Sequence, residues 1–220
     1  MKKALLIDDH AFLREALALV MAREMTFLTV LQAGDLAHAR ELLSVHPDVE
    51  LVLLDLTLPD GHGLDLLPEL RDATAARLVV MSADDSEHTI LAAIQAGAAG
   101  YIPKTLDSAG MLEALRLVMA GSVVLPPRLL AGTAQGMHAA APRTRDVADL
   151  GLSPRQGEVL RLLIEGRPNK AISRELEMSE STVKTHLAAI FRKLDATSRT
   201  QAVVAAARLG LRLVAEHPRD

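Results

Sequence analysis

Three carboxylates and one amine are the side chains best placed for chemistry in this sequence. Asp8 and Asp9 are adjacent, Asp55 closes the apolar run 51–54, and Lys104 ends Gly100-Tyr101-Ile102-Pro103-Lys104. Like charges gathered in one place are costly unless a cation neutralises them. Oxygen donors favour a hard ion such as Mg2+, which takes few carboxylates and keeps several waters. Lys104 adds a point charge and Ser82 a hydroxyl. The chain has no cysteine, which removes disulfides, thiolate metal sites and thiol catalysis and suits a reducing, cytoplasmic setting.

These residues converge only if the surrounding elements bring them together. Short apolar runs at 4–7, 27–31, 51–54, 78–81 and 100–102 predict five strands. Helical patterns near 11–24, 35–45, 62–72, 86–96 and 107–120 alternate with them. Such alternation implies a parallel sheet covered by helices on both faces, an α/β doubly wound domain. The run Leu51-Val52-Leu53-Leu54 has no polar face, as a strand buried on both sides requires. Ligands in such sheets sit beyond the carboxyl ends of the strands, at the topological switch point. Asp8, Asp9, Asp55, Ser82 and Lys104 all follow strand ends. Any one of them has an ordinary explanation as a turn or capping residue; the set together points to one crevice.

Half of the residues are apolar, enough for a sizeable core, and no apolar stretch is long enough to span a membrane. The run 4–7 is too short for a signal-peptide core. The net charge of −4 hides an asymmetry. Residues 1–121 carry nine Lys and Arg against eighteen Asp and Glu, whereas 151–214 carry eleven against six. The basic end is the candidate for nucleic acid. Between them, Pro126-Pro127, Gly132, Gly136 and Pro142-Arg143-Thr144-Arg145 make 122–149 a linker, with some helix at 127–135. Beyond it, four short helices fit, about 154–165, 169–176, 180–194 and 198–209. The domains are therefore 1–121 and 150–214.

The pieces Ile7-Asp8-Asp9-His10, Leu54-Asp55-Leu56-Thr57-Leu58-Pro59-Asp60-Gly61, Met81-Ser82-Ala83 and Gly100-Tyr101-Ile102-Pro103-Lys104 stand in the order and spacing of a known family. Over residues 3–121 the chain resembles the receiver domains of two-component response regulators, with a flavodoxin-like fold. The resemblance implies that Asp55 accepts a phosphoryl group from a sensor histidine kinase. Asp9, Asp55 and the Thr57 backbone carbonyl would ligate Mg2+, with Asp8 acting mostly through metal-bound water. It also couples Ser82 and Tyr101 as a switch: phosphate on Asp55 draws the Ser82 hydroxyl inward and vacates space into which the Tyr101 ring turns. Gly61 and Gly63 would let the loop after Asp55 bend away from the pocket. His10 is read as the start of the first helix at the pocket rim, not as a ligand.

At the basic end, Ser153 before Pro154 is a helix N-cap followed by a first-turn proline, and Ser179 caps the helix from Glu180. On that helix Val183, Leu187, Ile190, Phe191 and Leu194 share one face, opposite Thr185, Ala188 and Arg192 with Lys184 on the flank. Charge and periodicity alone fit a plain helical bundle as well as a DNA reader. The order of the motifs Leu152-Ser153-Pro154-Arg155-Gln156, Asn169-Lys170-Ala171-Ile172 and Ser179-Glu180-Ser181-Thr182-Val183-Lys184-Thr185-His186 resembles the LuxR-type helix-turn-helix domain over 150–213. With a receiver in front, that is the NarL/FixJ group. The resemblance makes 180–194 the recognition helix in the major groove. Lys184 and Thr185 would face bases, and Asn169, Lys170, Ser181, Thr182 and Arg192 would face phosphates. Ala188 stands where some relatives carry lysine, and offers a contact to a thymine methyl. Gly157 falls inside a helix, and Glu177 sits in the inter-helix turn where glycine is frequent. The final helix would pair with its copy, giving a homodimer on promoter DNA, with RNA polymerase as a further partner.

A haloacid-dehalogenase-like phosphatase would need a second acid two residues after its nucleophile, where His10 stands, so an enzyme is not expected. The alternative is a regulator of the same fold that ignores phosphorylation; Ser82, Lys104 and the complete acidic set argue against it.

Overall fold

The computed structural model describes residues 2–126, 129 and 147–209. Contacts divide the chain into two compact units, the first holding the residues up to Met119 with Val124–Pro126, the second the C-terminal helices.

In the first unit, β1 (Lys2–Ile7), β2 (Leu28–Ala33), β3 (Val49–Asp55), β6 (Arg77–Ser82) and β7 (Gly100–Pro103) form one parallel sheet in the order β2-β1-β3-β6-β7. The helices α1 (Ala11–Glu24), α2 (Leu36–Val45), α3 (Gly63–Ala73), α4 (Glu87–Ala96) and α5 (Ser108–Ala120) connect and cover it. This is the doubly wound order whose switch point falls between β1 and β3. Side chains alternate across the pleat. Ala4, Leu6, Leu51, Leu53, Val79, Met81 and Ile102 join Leu17, Met21, Leu115 and Val118 of α1 and α5 in one apolar cluster. Leu5, Ile7, Val52, Leu54 and Val80 are equally buried and alternate onto the other face, where α2, α3 and α4 pack.

Two short strands lay outside the five expected. Thr57–Leu58 (β4) and Gly61–His62 (β5) form an antiparallel hairpin in the loop after Asp55. Its turn residue Asp60 accepts hydrogen bonds from Leu36 N and Ala37 N, while Asp35 accepts from His38 N, so α2 is capped from two places in the chain. The need for glycine at position 63 is room rather than backbone freedom. A Cβ there would lie 2.5 Å from the Asp55 carbonyl oxygen and 2.9 Å from Leu56 Cα.

In the second unit a 3-10 turn (Val147–Leu150) precedes α6 (Pro154–Ile164), α7 (Asn169–Glu175), α8 (Glu180–Lys193) and α9 (Arg199–Arg208). The turn spans the predicted boundary, with 147–149 in the stretch read as linker and Leu150 in the second domain; the helix suggested at 127–135 lies outside the described residues except for 129. Ser153 and Gln156 cap α6 reciprocally, Ser153 Oγ accepting from Gln156 N and Gln156 Oε1 from Ser153 N. Val159, Leu160, Leu162, Leu163, Ile172, Val183, Leu187, Ile190 and Val203 bury the apolar faces of all four helices against one another. Glu177, in the turn between α7 and α8, takes the left-handed conformation with φ of 49°. That is the conformation for which helix-turn-helix turns favour glycine.

Candidate functional site

Register builds the acidic crevice. Ile7 pairs with Leu54, so the next residues, Asp8 and Asp55, lie side by side at the carboxyl ends of β1 and β3. Asp55 pairs with Met81, which puts Ser82 one step further along β6. Ser82 pairs with Pro103, and Lys104 N donates to the Ser82 carbonyl at 2.9 Å. Four groups scattered over nearly a hundred residues thus meet at one rim because neighbouring parallel strands end together.

Asp8 and Asp55 are buried, Ser82 is buried, and Asp9 is exposed at the mouth. Lys104 Nζ donates to Asp55 Oδ2 at 2.6 Å and lies 2.8 Å from Asp8 Oδ2. The second contact is an ion pair without hydrogen-bond geometry, so that buried Asp8 oxygen keeps no hydrogen-bond donor. Asp8 Oδ1 accepts from His10 N at 2.9 Å. Burial pushes the Lys104 pKa down, but its hydrogen bond to Asp55, its close contact with Asp8 and the charges of both carboxylates outweigh that, leaving it raised.

The side chains of Asp8, Asp9, His10 and Asp55 each offer a ligand atom, all within 4.8 Å of one another. The oxygen set and the orphaned Asp8 oxygen fit a hard divalent cation. His10 does stand before α1, at its N-cap, but its ring also enters this group: Nδ1 is 2.6 Å from Asp9 Oδ1 and 3.3 Å from Asp8 Oδ1. His10 thus stands where the sequence placed it, at the helix start on the rim of the crevice, with its ring beside both aspartates. Thr57 lies two residues beyond Asp55 in β4 with an exposed side chain.

Ser82 Oγ accepts from Asp84 N at 3.1 Å, which ties the hydroxyl to the loop before α4. Tyr101 is fully buried, and its hydroxyl donates to the Asp84 main-chain carbonyl. The ring is therefore already inside, with its polar tip satisfied by the loop that holds Ser82.

The candidate nucleic-acid face lies on α7 and α8. Ser179 Oγ accepts from Thr182 N at 3.1 Å and contacts the hydroxyls of Ser181 and Thr182 at 2.6 and 2.8 Å. These three hydroxyls form one cap cluster at the start of α8. Lys184, Thr185, Ala188 and Arg192 are exposed, while Val183, Leu187 and Ile190 are buried and Leu194 is buried at the C-cap. Phe191 departs from the expected apolar face: it is only half-buried and lines a cleft with Asn169, Lys184, Leu187, Ala188 and Arg199. Thr185 Oγ1 donates back to the Ser181 carbonyl at 3.1 Å, leaving its methyl and oxygen lone pairs outward. Lys170 is exposed, and Asn169 Oδ1 accepts from Arg199 Nη1 at 3.2 Å. Sequence reasoning passed over Arg199, because its partners lie some thirty residues away and no local pattern marks them.

Comparisons with known proteins agree with both halves. Residues 4–116 match the model of the response regulator receiver domain, and 150–206 that of the luxR family of bacterial regulatory proteins. The chain is 36% identical over 214 residues to the glycerol metabolism activator of Pseudomonas putida, covering 94% of this chain and 95% of that one. It is also 36% identical over 203 residues to the nitrate/nitrite response regulator NarL of Escherichia coli K12, covering 91% and 92%. The crystal structure of a LuxR-family two-component response regulator from Aurantimonas sp. SI85-9A1 matches with a TM-score of 0.53 at 29% identity, covering 57% of this chain and 89% of that one. No helix among the described residues is long and apolar enough to cross a membrane. A receiver crevice on a five-stranded sheet, a helix-turn-helix unit and relatives matched over nearly their whole length together identify this chain as a two-component response regulator transcription factor of the NarL/FixJ type.

Proposed function

We propose that Asp55 is the phosphoacceptor of this regulator. The observation that carries the reading is the burial of Asp55 beside Asp8 with Lys104 Nζ on its Oδ2 atom. One Asp55 carboxylate oxygen attacks the phosphorus of a phosphohistidine on the sensor kinase. The new bond is an acyl phosphate, the bond that breaks is phosphorus to imidazole nitrogen, and the imidazole leaves with its electron pair. Lys104 then turns from the carboxylates to the phosphoryl oxygens. Asp9, Asp55 and the Thr57 carbonyl would hold Mg2+, Asp8 standing behind its waters. When bound, that ion neutralises charge on the transferring group. The protein is a switch with one modification per cycle, not a turnover enzyme.

The Ser82 hydroxyl, on β6 one residue beyond the register partner of Asp55, swings to the phosphoryl group and releases Asp84 N. The Asp84 loop then re-forms around the buried Tyr101, biasing the face made by α4, β7 and α5 between two arrangements. The receiver spans 1–121, the linker 122–149 and the DNA-binding domain 150–214. In the latter, Lys184, Thr185 and Ala188 face bases of promoter DNA, and Asn169, Lys170, Ser181, Thr182 and Arg192 face its backbone. α9 pairs with its copy in the active dimer, so the operator contains two half-sites.

The test is beryllofluoride or acetyl phosphate with Mg2+, read by intact mass or fluorine NMR. Wild type should be modified and Asp55→Asn should not; equal modification of both removes Asp55 from this role.

A further inference from the structure

Arg199 opens α9, and its guanidinium turns back toward the start of α7. Nη2 donates to the Arg167 main-chain carbonyl and Nη1 to Asn169 Oδ1. Nε is closed off from water and has no hydrogen-bond partner among the described residues. A guanidinium has five N–H donors and is built for bidentate anions, yet this one meets only neutral acceptors. Burial alone pulls its pKa down to about 10, well below the usual guanidinium value. It remains a cation at neutral pH. A buried charge is costly unless an anion meets it, and no such anion comes from the described part of this chain.

The same side chain lines a cleft of about 280 Å3 in which, among the described residues, no acidic one takes part. Its apolar lining includes Leu187 and Phe191, and its cations are Lys184 and Arg199. Ala188, exposed on α8, also lines it. The cleft lies between α7 and the exposed stripe of α8, the two elements assigned to the DNA face. The Arg199 cation beside apolar side chains suits a phosphate with its deoxyribose.

We propose that this cleft grips a DNA backbone phosphate, with Arg199 as its half-buried anchor and Asn169 held in position by it. The proposal rests on α8 being the recognition helix and adds a phosphodiester seat to it. Arg199 contributes charge to the cleft and orients Asn169, while Lys184 stays free to reach a base edge.

The experiment measures binding of the full chain to a mixed-sequence duplex across a salt series. Each phosphate contact contributes about 0.9 to the slope of log K against log salt. Arg199→Gln should lower that slope by about one such step, and Arg199→Lys should retain it. A purely structural staple would lower the melting temperature in Arg199→Gln and leave the slope unchanged. Asn169→Asp places a carboxylate on the guanidinium and supplies the missing anion internally. It should raise the melting temperature while cutting the slope, and it carries the test if Arg199→Gln does not fold. An unchanged slope in folded Arg199→Gln or in Asn169→Asp, with DNA binding intact, overturns the phosphate seat alone. Wild type with no DNA affinity at low salt overturns the recognition-helix reading as well. Inorganic phosphate at constant ionic strength forms the last arm: if micromolar phosphate raises the melting temperature of wild type but not of Arg199→Gln, the cleft is a free-anion site and the DNA assignment fails.

Discussion

Lys104 Nζ lies 2.6 Å from Asp55 Oδ2, so the amine covers an oxygen of the carboxylate assigned to attack phosphorus. It also pairs with Asp8, and in this arrangement one lysine compensates two buried acids. On the proposed function, Mg2+ bound there would compete with Lys104 for the same carboxylate charge until a phosphoryl group gave the lysine a new partner.

Lys104→Ala leaves Asp8 and Asp55 side by side without a cation. Breaking a buried pair costs about 3–5 kcal/mol, and partial exposure of the lysine places this case at or below the lower end. In chelating buffer the variant should melt well below wild type, and Mg2+ should restore more to the variant than it adds to wild type. Equal Mg2+ responses in scanning fluorimetry would show that ion and amine do not share these acids. The raised Lys104 pKa sets the pH window: the pair's contribution is complete below the ordinary value of 10.5 and is lost as pH climbs through the higher folded value. The gap between wild type and variant should accordingly hold steady through neutral pH and narrow only in strong alkali.

Tyr101→Phe keeps the buried ring and removes the donor to the Asp84 carbonyl. Losing that hydrogen bond should cost about 0.5–1.5 kcal/mol. Amide exchange at residues 84–86 should accelerate while the strands keep their protection. If those amides exchange as in wild type, the hydroxyl does not hold the loop.

Lys184→Ala should reduce affinity for a selected operator by about tenfold to a hundredfold, the range for one base contact. Arg192→Ala should weaken operator and unrelated duplex alike. Gel shifts on both duplexes separate the two roles, and a Lys184→Ala loss equal on both would assign Lys184 to the backbone instead.

Glu177→Gly relieves a left-handed residue, worth about 1–2 kcal/mol for a side chain with a Cβ and partly offset by glycine's greater freedom when unfolded. The isolated transition of the C-terminal unit should rise by a few degrees. A fall in its melting temperature would mean that the Glu177 side chain holds the turn by contacts that outweigh the strain.

Much of the fold was legible because its signals are local. The run 51–54, apolar at every position, reads as a doubly buried strand, and β3 is that strand. Ser153-Pro154 and Ser179-Glu180 mark helix starts within one residue, since capping depends on neighbours three positions apart. The hairpin of β4 and β5 escaped because two-residue strands carry no periodicity. Phe191 was assigned wholly to the buried face because helical spacing places it there, yet the helices leave a cleft beside it.

Along the chain itself, residue order determined the two domain types, the sequence of elements and the identity of the crevice acids, because turn chemistry and apolar spacing act over a few residues. Tertiary structure alone decided that Lys104 bonds Asp55, that Asp60 caps a helix begun at Leu36, that His10 joins the carboxylates and that Arg199 meets Asn169 beside an open cleft. Such contacts join residues that depend on strand register and helix crossing, and these are set only when the apolar faces pack.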